Sequence, residues 1–240
     1  MTASSKAEEL TSEIKQVALK SGANLVGVVS ASAIDSFPVI KVGWKIQDYT
    51  KKTTDLMADA KSLIVIGYHV WDDMLELAIK KNEHWVYPGY SPVSHLEEVV
   101  KNHLEKKGFM TVPNPPLSQK RLAQLAGFGN YGKNALVVNP VYGPWIRLAT
   151  VMTNAELIPD RPFDRDVCGD CQECVKACPV GALTPYTVDD EKCLVGIHIL
   201  DKKGFELNEG WRKHEPSLTR NSHLMCRECQ RVCKYGNQDR

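Results

Sequence analysis

The residues best equipped for chemistry are eight cysteines, all lying between Cys168 and Cys233 of a 240-residue chain. Four of them read Cys168-Gly-Asp-Cys171-Gln-Glu-Cys174-Val-Lys-Ala-Cys178-Pro179, a C-x2-C-x2-C-x3-C-P run. Cys193 stands alone, and Cys226, Cys229 and Cys233 read C-x2-C-x3-C. Thiolates at this spacing hold [4Fe–4S] clusters, and the chemistry they imply is movement of single electrons. Three cysteines spaced by two residues wrap one corner of a cubane, while the fourth of the run is held too far away and serves the other cluster. The expected pairing is therefore crossed. One cluster takes Cys168, Cys171, Cys174 and Cys233; the other takes Cys226, Cys229, Cys178 and Cys193. Lys234 follows Cys233 where a proline would repeat the first motif, and Cys193 lies far upstream of its run.

This is the spacing of a two-cluster bacterial ferredoxin. Zinc sites show separated C-x2-C pairs instead of a triple followed by x3. Disulfides suit small secreted domains, and this chain is long and opens with no signal peptide. Two clusters use all eight cysteines and leave none over.

Composition is that of an ordinary soluble protein, 43% hydrophobic and 25% charged. A formal charge of +1 gives no reason to expect nucleic acid or an anionic membrane as partner. No apolar run approaches the roughly 20 residues that span a bilayer. The longest compact one, Leu63-Ile64-Val65-Ile66, has the length of a buried strand. Reduced cysteines and no targeting signal imply a cytoplasmic protein, and exposed low-potential clusters suit an anaerobic cell.

Other elements must position these thiols. Ser5 and Glu8 form a capping box for a first helix with Leu10, Ile14, Val17 and Ala18 on its apolar face, stopped at Gly22. Leu25 to Val29 reads as a strand, and 31–60 as irregular or weakly helical, broken at Pro38. Ser62 to Val70 reads as a buried strand. Ser94 and Glu97 open a second capped helix carrying Leu96, Val99, Val100 and Leu104 to about Lys107. A short strand follows at Phe109 to Val112. Pro115 and Pro116 precede a third helix through Ala126, with strands at Ala135 to Val138 and Ile146 to Thr153. Pro159 and Pro162 mark a linker. Residues 1–160 thus form an α/β (α+β) domain, and 161–240 a small ligand-stapled domain interrupted by a polar, solvated loop at 201–215.

Between the third helix and the next strand lies Gly127-Phe-Gly129-Asn-Tyr131-Gly132-Lys133-Asn134. It matches G-x-G-x-x-G, but a dinucleotide fingerprint needs a strand before the glycines and a helix after, and here the order is reversed. A P-loop needs a Ser or Thr after its lysine, and Asn134 stands there. Two readings stay open: a tight helix-to-strand connection, or a loop lying against a large planar ligand.

Residues 122–158, from Leu-Ala-Gln-Leu-Ala-Gly-Phe-Gly-Asn-Tyr-Gly-Lys-Asn through Asn139-Pro-Val-Tyr-Gly143 to the following strand, resemble epoxyqueuosine reductases and reductive dehalogenases. Those enzymes carry A-G-x-G-x-x-G-[KR]-N, then N-P-x-x-G, a strand, and two [4Fe–4S] clusters. The resemblance implies a nitroreductase-like corrinoid-binding domain followed by the two-cluster ferredoxin-like domain. It implies that cobalamin or a related corrinoid binds base-off and receives electrons from the clusters. Gly127, Gly129, Tyr131, Gly132, Lys133 and Asn134 would then lie near the corrin, with Arg147 and Tyr142 as further contacts. Epoxyqueuosine reductases carry an acidic residue in a V-D-x-x-P segment, and that position falls on Pro113, which cannot donate a proton. Dehalogenases use a tyrosine, and Tyr68, Tyr90 or Tyr131 would serve; Tyr131 and Tyr68 are the candidates we carry forward. The chain ends at Arg240 without the helical repeats such reductases use around tRNA, so a tRNA substrate is not expected.

The expected function is a corrinoid-dependent iron–sulfur reductase of a small substrate, fed by a low-potential donor such as ferredoxin, flavodoxin or a reductase. One alternative is a redox partner that reduces corrinoid for another protein. Another is a ferredoxin fused to a flavin-binding or ligand-free domain. A homodimer is compatible with a nitroreductase-like fold, although no stripe of exposed apolar residues argues for it. His69 reads as a core or rim residue. His84, Trp85, Tyr87 and Tyr90 either wall a cofactor or pack their loop. His198, His214 and His223 read as surface positions with the option of tuning a cluster.

Overall fold

The structure is a computed structural model that describes residues 3–40, 49–82, 84–199 and 212–236. Residues 201–211 of the polar stretch, and the side chain of His198, lie outside this part. The chain runs α1 (Ala3–Lys20), β1 (Leu25–Ser30), α2 (Ala31–Asp35), α3 (Thr53–Leu56), β2 (Ser62–His69), β3 (Leu77–Lys81) and β4 (His84–Val86). It continues through α4 (Ser91–Lys106), β5 (Thr111–Pro113), α5 (Gln119–Leu125), β6 (Asn130–Tyr131), β7 (Val137–Val138) and β8 (Ile146–Thr153). The cysteine-bearing part holds α6 (Glu173–Lys176), β9 (Leu183–Thr184), β10 (Thr187–Val188), α7 (Leu194–Ile199), β11 (Ser217–Thr219), β12 (Ser222–Leu224) and α8 (Glu228–Arg231).

The central sheet has strand order β1-β2-β8-β5, and every pair in it is antiparallel. Strand β2 is apolar at nearly every position because helices cover both faces. Alternate residues point to opposite sides. Leu63 and Val65 meet α2 and α5 through Ile34, Leu122 and Ala123. Ile64 and Ile66 meet α1 and α4 through Ile14, Ala18, Leu96, Val100 and Leu104. The edge of β1 is closed by the Pro-rich connection: Asp160 exchanges hydrogen bonds with both backbone groups of Val28 and pairs with Lys15 at 2.7 Å.

A second antiparallel sheet, β11-β12-β3-β4, joins the two halves of the sequence. Its central pairing sets Ser222, His223 and Leu224 against Ile79, Ala78 and Leu77. Strands on either side of residue 160 therefore share one sheet.

Two helix starts differ from the sequence expectation. Helix α1 begins at Ala3, so Ser5 lies inside it, and it is Ser4 that bonds Glu8, at 3.2 Å. Helix α4 begins at Ser91, with Pro92 in its first turn, so Ser94 is interior and Glu97 instead accepts the backbone N–H of Asn114. The strand expected at Ala135 to Val138 shrinks to β7, because Ala135 has a φ of +59° and cannot be extended.

Candidate functional site

Two groups of cysteines assemble from opposite ends of the cysteine-bearing segment. Cys168, Cys171, Cys174 and Cys233 line one cavity of about 360 Å³, counting its open mouth, with Lys133, Asn134 and Tyr235 also in its wall. Local turns set the thiols there. Asp166 accepts from the backbone N–H of Cys168 (2.9 Å) and of Gly169 (3.2 Å), and Cys171 N–H bonds Cys168 O at 3.0 Å. Cys174 sits in α6, and Cys233 follows α8, its N–H on Gln230 O at 3.1 Å.

The second group is Cys178, Cys193, Cys226 and Cys229. Burial raises the Cys229 thiol well above the ordinary range, and the fields of Cys226, Cys193, Cys178 and, last, Cys174 of the first group raise it further. Burial likewise pushes Cys226 up to about 12, with Glu215 and Cys193 adding to it. Cys193 is raised by burial and then by Cys178. These four thiols are thus one another's electrostatic neighbours, in a setting that disfavours thiolates until a cation takes them. None of the eight cysteines is in a disulfide. Among the described residues no three His, Cys, Asp or Glu side chains converge closely enough to hold a single metal ion. Eight cysteines, four of them around one cavity, are the donor set that two [4Fe–4S] clusters use.

The second motif is bolted to the remainder of the chain. Arg227 pairs with Asp73 at 2.8 Å, Met225 N–H bonds Glu76 O at 2.9 Å, and Gln230 bonds Pro144 O at 3.3 Å. The first motif is held by Lys133, whose buried ammonium donates to Gly169 O at 2.5 Å.

The glycine loop makes its close approach to the protein itself. A Cβ on Gly129 would strike Val138 O, and one on Gly127 would come within 2.9 Å of Arg161 O. Asn134 turns its side-chain oxygen to Leu136 N–H at 3.2 Å. Lys133 and Asn134 therefore belong to the cysteine cavity. Arg147, partly buried, pairs with Glu76 and stacks on Tyr90 at 4.8 Å. Trp85 meets His223 edge-on at 5.1 Å, so the aromatic loop packs on the cysteine-bearing segment. His69 is buried with its ring 4.7 Å from that of Tyr142.

Tyr131 lies elsewhere. It lines a second cavity, of about 500 Å³ with its mouth, together with Phe37, Thr50, Lys51, Ser118 and Arg121. The Arg121 guanidinium lies between two rings, 4.6 Å from Phe37 and 5.2 Å from Tyr131, and the Tyr131 and Ser118 hydroxyls are 3.4 Å apart. Tyr68 packs with the α1/α4 core on the other face of the central sheet, so the two tyrosines do not share a site. Pro113 is exposed at the end of β5. Sequence reasoning missed Phe37 and Arg121, which are far apart in the chain and form no motif. It also missed the buried Glu215, which it placed on a solvated face.

Residues 167–236 match the family of 4Fe-4S double cluster binding domains. An epoxyqueuosine reductase of Listeria monocytogenes is 38% identical over 120 residues, 50% of this chain and 30% of that protein. The chain's relatives are epoxyqueuosine reductases. A crystal structure of epoxyqueuosine reductase with an epoxyqueuosine-modified tRNA-Tyr stem loop superposes with a TM-score of 0.72 at 22% identity, over 96% of this chain and 66% of that one. A reductive dehalogenase structure that suggests a mechanism for B12-dependent dehalogenation gives 0.65 at 17%, over 95% and 32%. The fold is therefore the one shared by these two groups, as the sequence resemblance implies. The matched region spans less than half of the length of the Listeria relative. The presence of a tRNA stem loop in one neighbour lends no support to the expectation that tRNA is excluded. Among the described residues no helix is long and apolar enough to cross a membrane.

Proposed function

We propose that this chain is an iron–sulfur oxidoreductase that passes electrons singly through two [4Fe–4S] clusters to an acceptor bound beside Tyr131. The observation that carries this reading is the convergence of Cys233 with Cys168, Cys171 and Cys174 around one cavity; the field of Cys178 at Cys193 supports the complementary set. One cluster is held by Cys168, Cys171, Cys174 and Cys233, and the other by Cys178, Cys193, Cys226 and Cys229. A low-potential donor protein supplies the electrons. On this reading the cysteine-bearing part, 161–240, is the electron-transfer domain and 1–160 the acceptor-binding domain.

A corrinoid is the acceptor favoured by the likeness to the dehalogenase fold. When bound, its cobalt takes up electrons one at a time. The cavity of Tyr131, about 500 Å³ with its mouth, is smaller than a whole corrinoid; it would meet one edge of such a planar group with an aromatic and apolar wall and the cations of Arg121, Lys51 and Lys52. On this reading the Tyr131 hydroxyl, 3.4 Å from that of Ser118, would hold a proton for a substrate, the task Pro113 cannot perform. Lys133 Nζ, the side-chain oxygen of Asn134 and one terminal nitrogen of Arg147 are bonded within the protein, which leaves Tyr131 as the loop residue proposed to meet a corrin.

The test is anaerobic reconstitution followed by addition of cob(II)alamin, with cobalt EPR as the readout. Loss of the nitrogen hyperfine pattern of the lower base supports base-off binding. An unchanged free-cobalamin signal removes the corrinoid and leaves an electron carrier with another acceptor.

A further inference from the structure

Glu215 is wholly buried, a rare state for a carboxylate without a reason. One of its oxygens accepts the backbone N–H of Cys226 at 2.9 Å. The other stands 3.7 Å from Nε2 of His223, itself buried on β12. Other charges near this quartet are Glu228, held by His214 at 3.1 Å, and Lys120, whose ammonium bonds Ala135 O. The first quartet has an acid in the same position, Asp166 on the backbone N–H of Cys168 at 2.9 Å, but that carboxylate is exposed. Glu173 is exposed too and pairs with Lys176, and the buried charge in the wall is the cation of Lys133.

We propose that Glu215 sets the reduction potential of the second cluster through its buried carboxylate, which holds the backbone N–H of the Cys226 ligand. This rests on the reading that both quartets carry clusters. A cluster gains negative charge on reduction, so a carboxylate in low dielectric beside it makes the added electron more costly. A surface acid is screened by water and does much less. Glu215 is a positioning residue: it touches a ligand's backbone and acts on the metal through its charge.

The experiment is a dithionite titration, followed by EPR, of the full chain reconstituted anaerobically. Wild type is compared with Glu215→Gln, which keeps an acceptor for Cys226 N–H, and Glu215→Asp, which keeps the charge. The expected result is that one midpoint of Glu215→Gln rises by at least a tenfold shift in the redox equilibrium, about 59 mV for one electron, while the other stays. Glu215→Asp should stay close to wild type. Unmoved midpoints, or both moving together, overturn the proposal and leave the cluster reading intact. An equal rise in Glu215→Asp overturns it too, since geometry would then be the cause. If Glu215→Gln loses half its iron and Glu215→Asp keeps it, the residue is a prop for the ligand loop and the assignment falls. Wild-type protein that takes up no clusters refutes the underlying reading instead.

Discussion

Gly143 and Gly236 face each other across the junction between the N-P-V-Y-G loop and the end of the second cysteine motif. Both have positive φ, 57° and 77°. A Cβ on Gly143 would strike the Tyr235 carbonyl, and one on Gly236 would strike the Tyr142 carbonyl. The loop is held in place by Asn139, whose side-chain oxygen takes the N–H groups of Val141 and Tyr142 at 2.8 and 2.9 Å. Gly143→Ala should therefore cost about 1–2 kcal/mol from left-handed backbone alone, and more with the clash added. A denaturant midpoint equal to wild type would show that this junction does not hold the motif.

Crossed ligation makes a pairwise prediction. Cys178→Ala and Cys229→Ala should abolish the same cluster signal, and Cys174→Ala and Cys233→Ala the other. Iron content should fall by half in each. If Cys178→Ala instead matches Cys174→Ala, ligation follows the order of the sequence and the crossing is wrong.

Lys133→Met should loosen the first cluster selectively. It removes a buried, charge-assisted bond to Gly169 O inside the ligand loop, worth about 1.5–3 kcal/mol. Iron release to a chelator should accelerate for the cluster that Cys233→Ala abolishes and not for the other. Equal release from both would mean that Lys133 acts on the fold as a whole.

What could be read in advance followed from strong local signals. Strands β2 and β8 were legible because burial on both faces leaves a continuous apolar run. The cysteine groups were legible because ligand spacing is a covalent constraint. The second sheet was not: β3, β4, β11 and β12 are short and polar, and their order is set by pairing between residues about 140 positions apart, such as Ala78 and His223. The S-x-x-E pattern misled twice, since Ser5 and Ser94 lie within helices that had already begun. Glu215 carried no signal, because burial of a lone acid depends on a fold that brings Cys226 and His223 around it.

Lys120 yields a prediction on pH. Its ammonium is buried against Ala135 O, and burial holds its pKa below the ordinary lysine value, against the opposing field of Cys193. The folded chain then gives up this proton at lower pH than the unfolded chain does. Between the two pKa values the unfolded state binds more protons, so stability rises with pH through that window and levels off above the unfolded value of about 10.4. Urea unfolding of reconstituted protein, from neutral pH upward, should show a smaller rise in Lys120→Met than in wild type. Other lysines, tyrosines and thiols titrate in the same range, so the difference between the two proteins is the readout. Parallel curves would mean that the fold does not penalise the Lys120 charge.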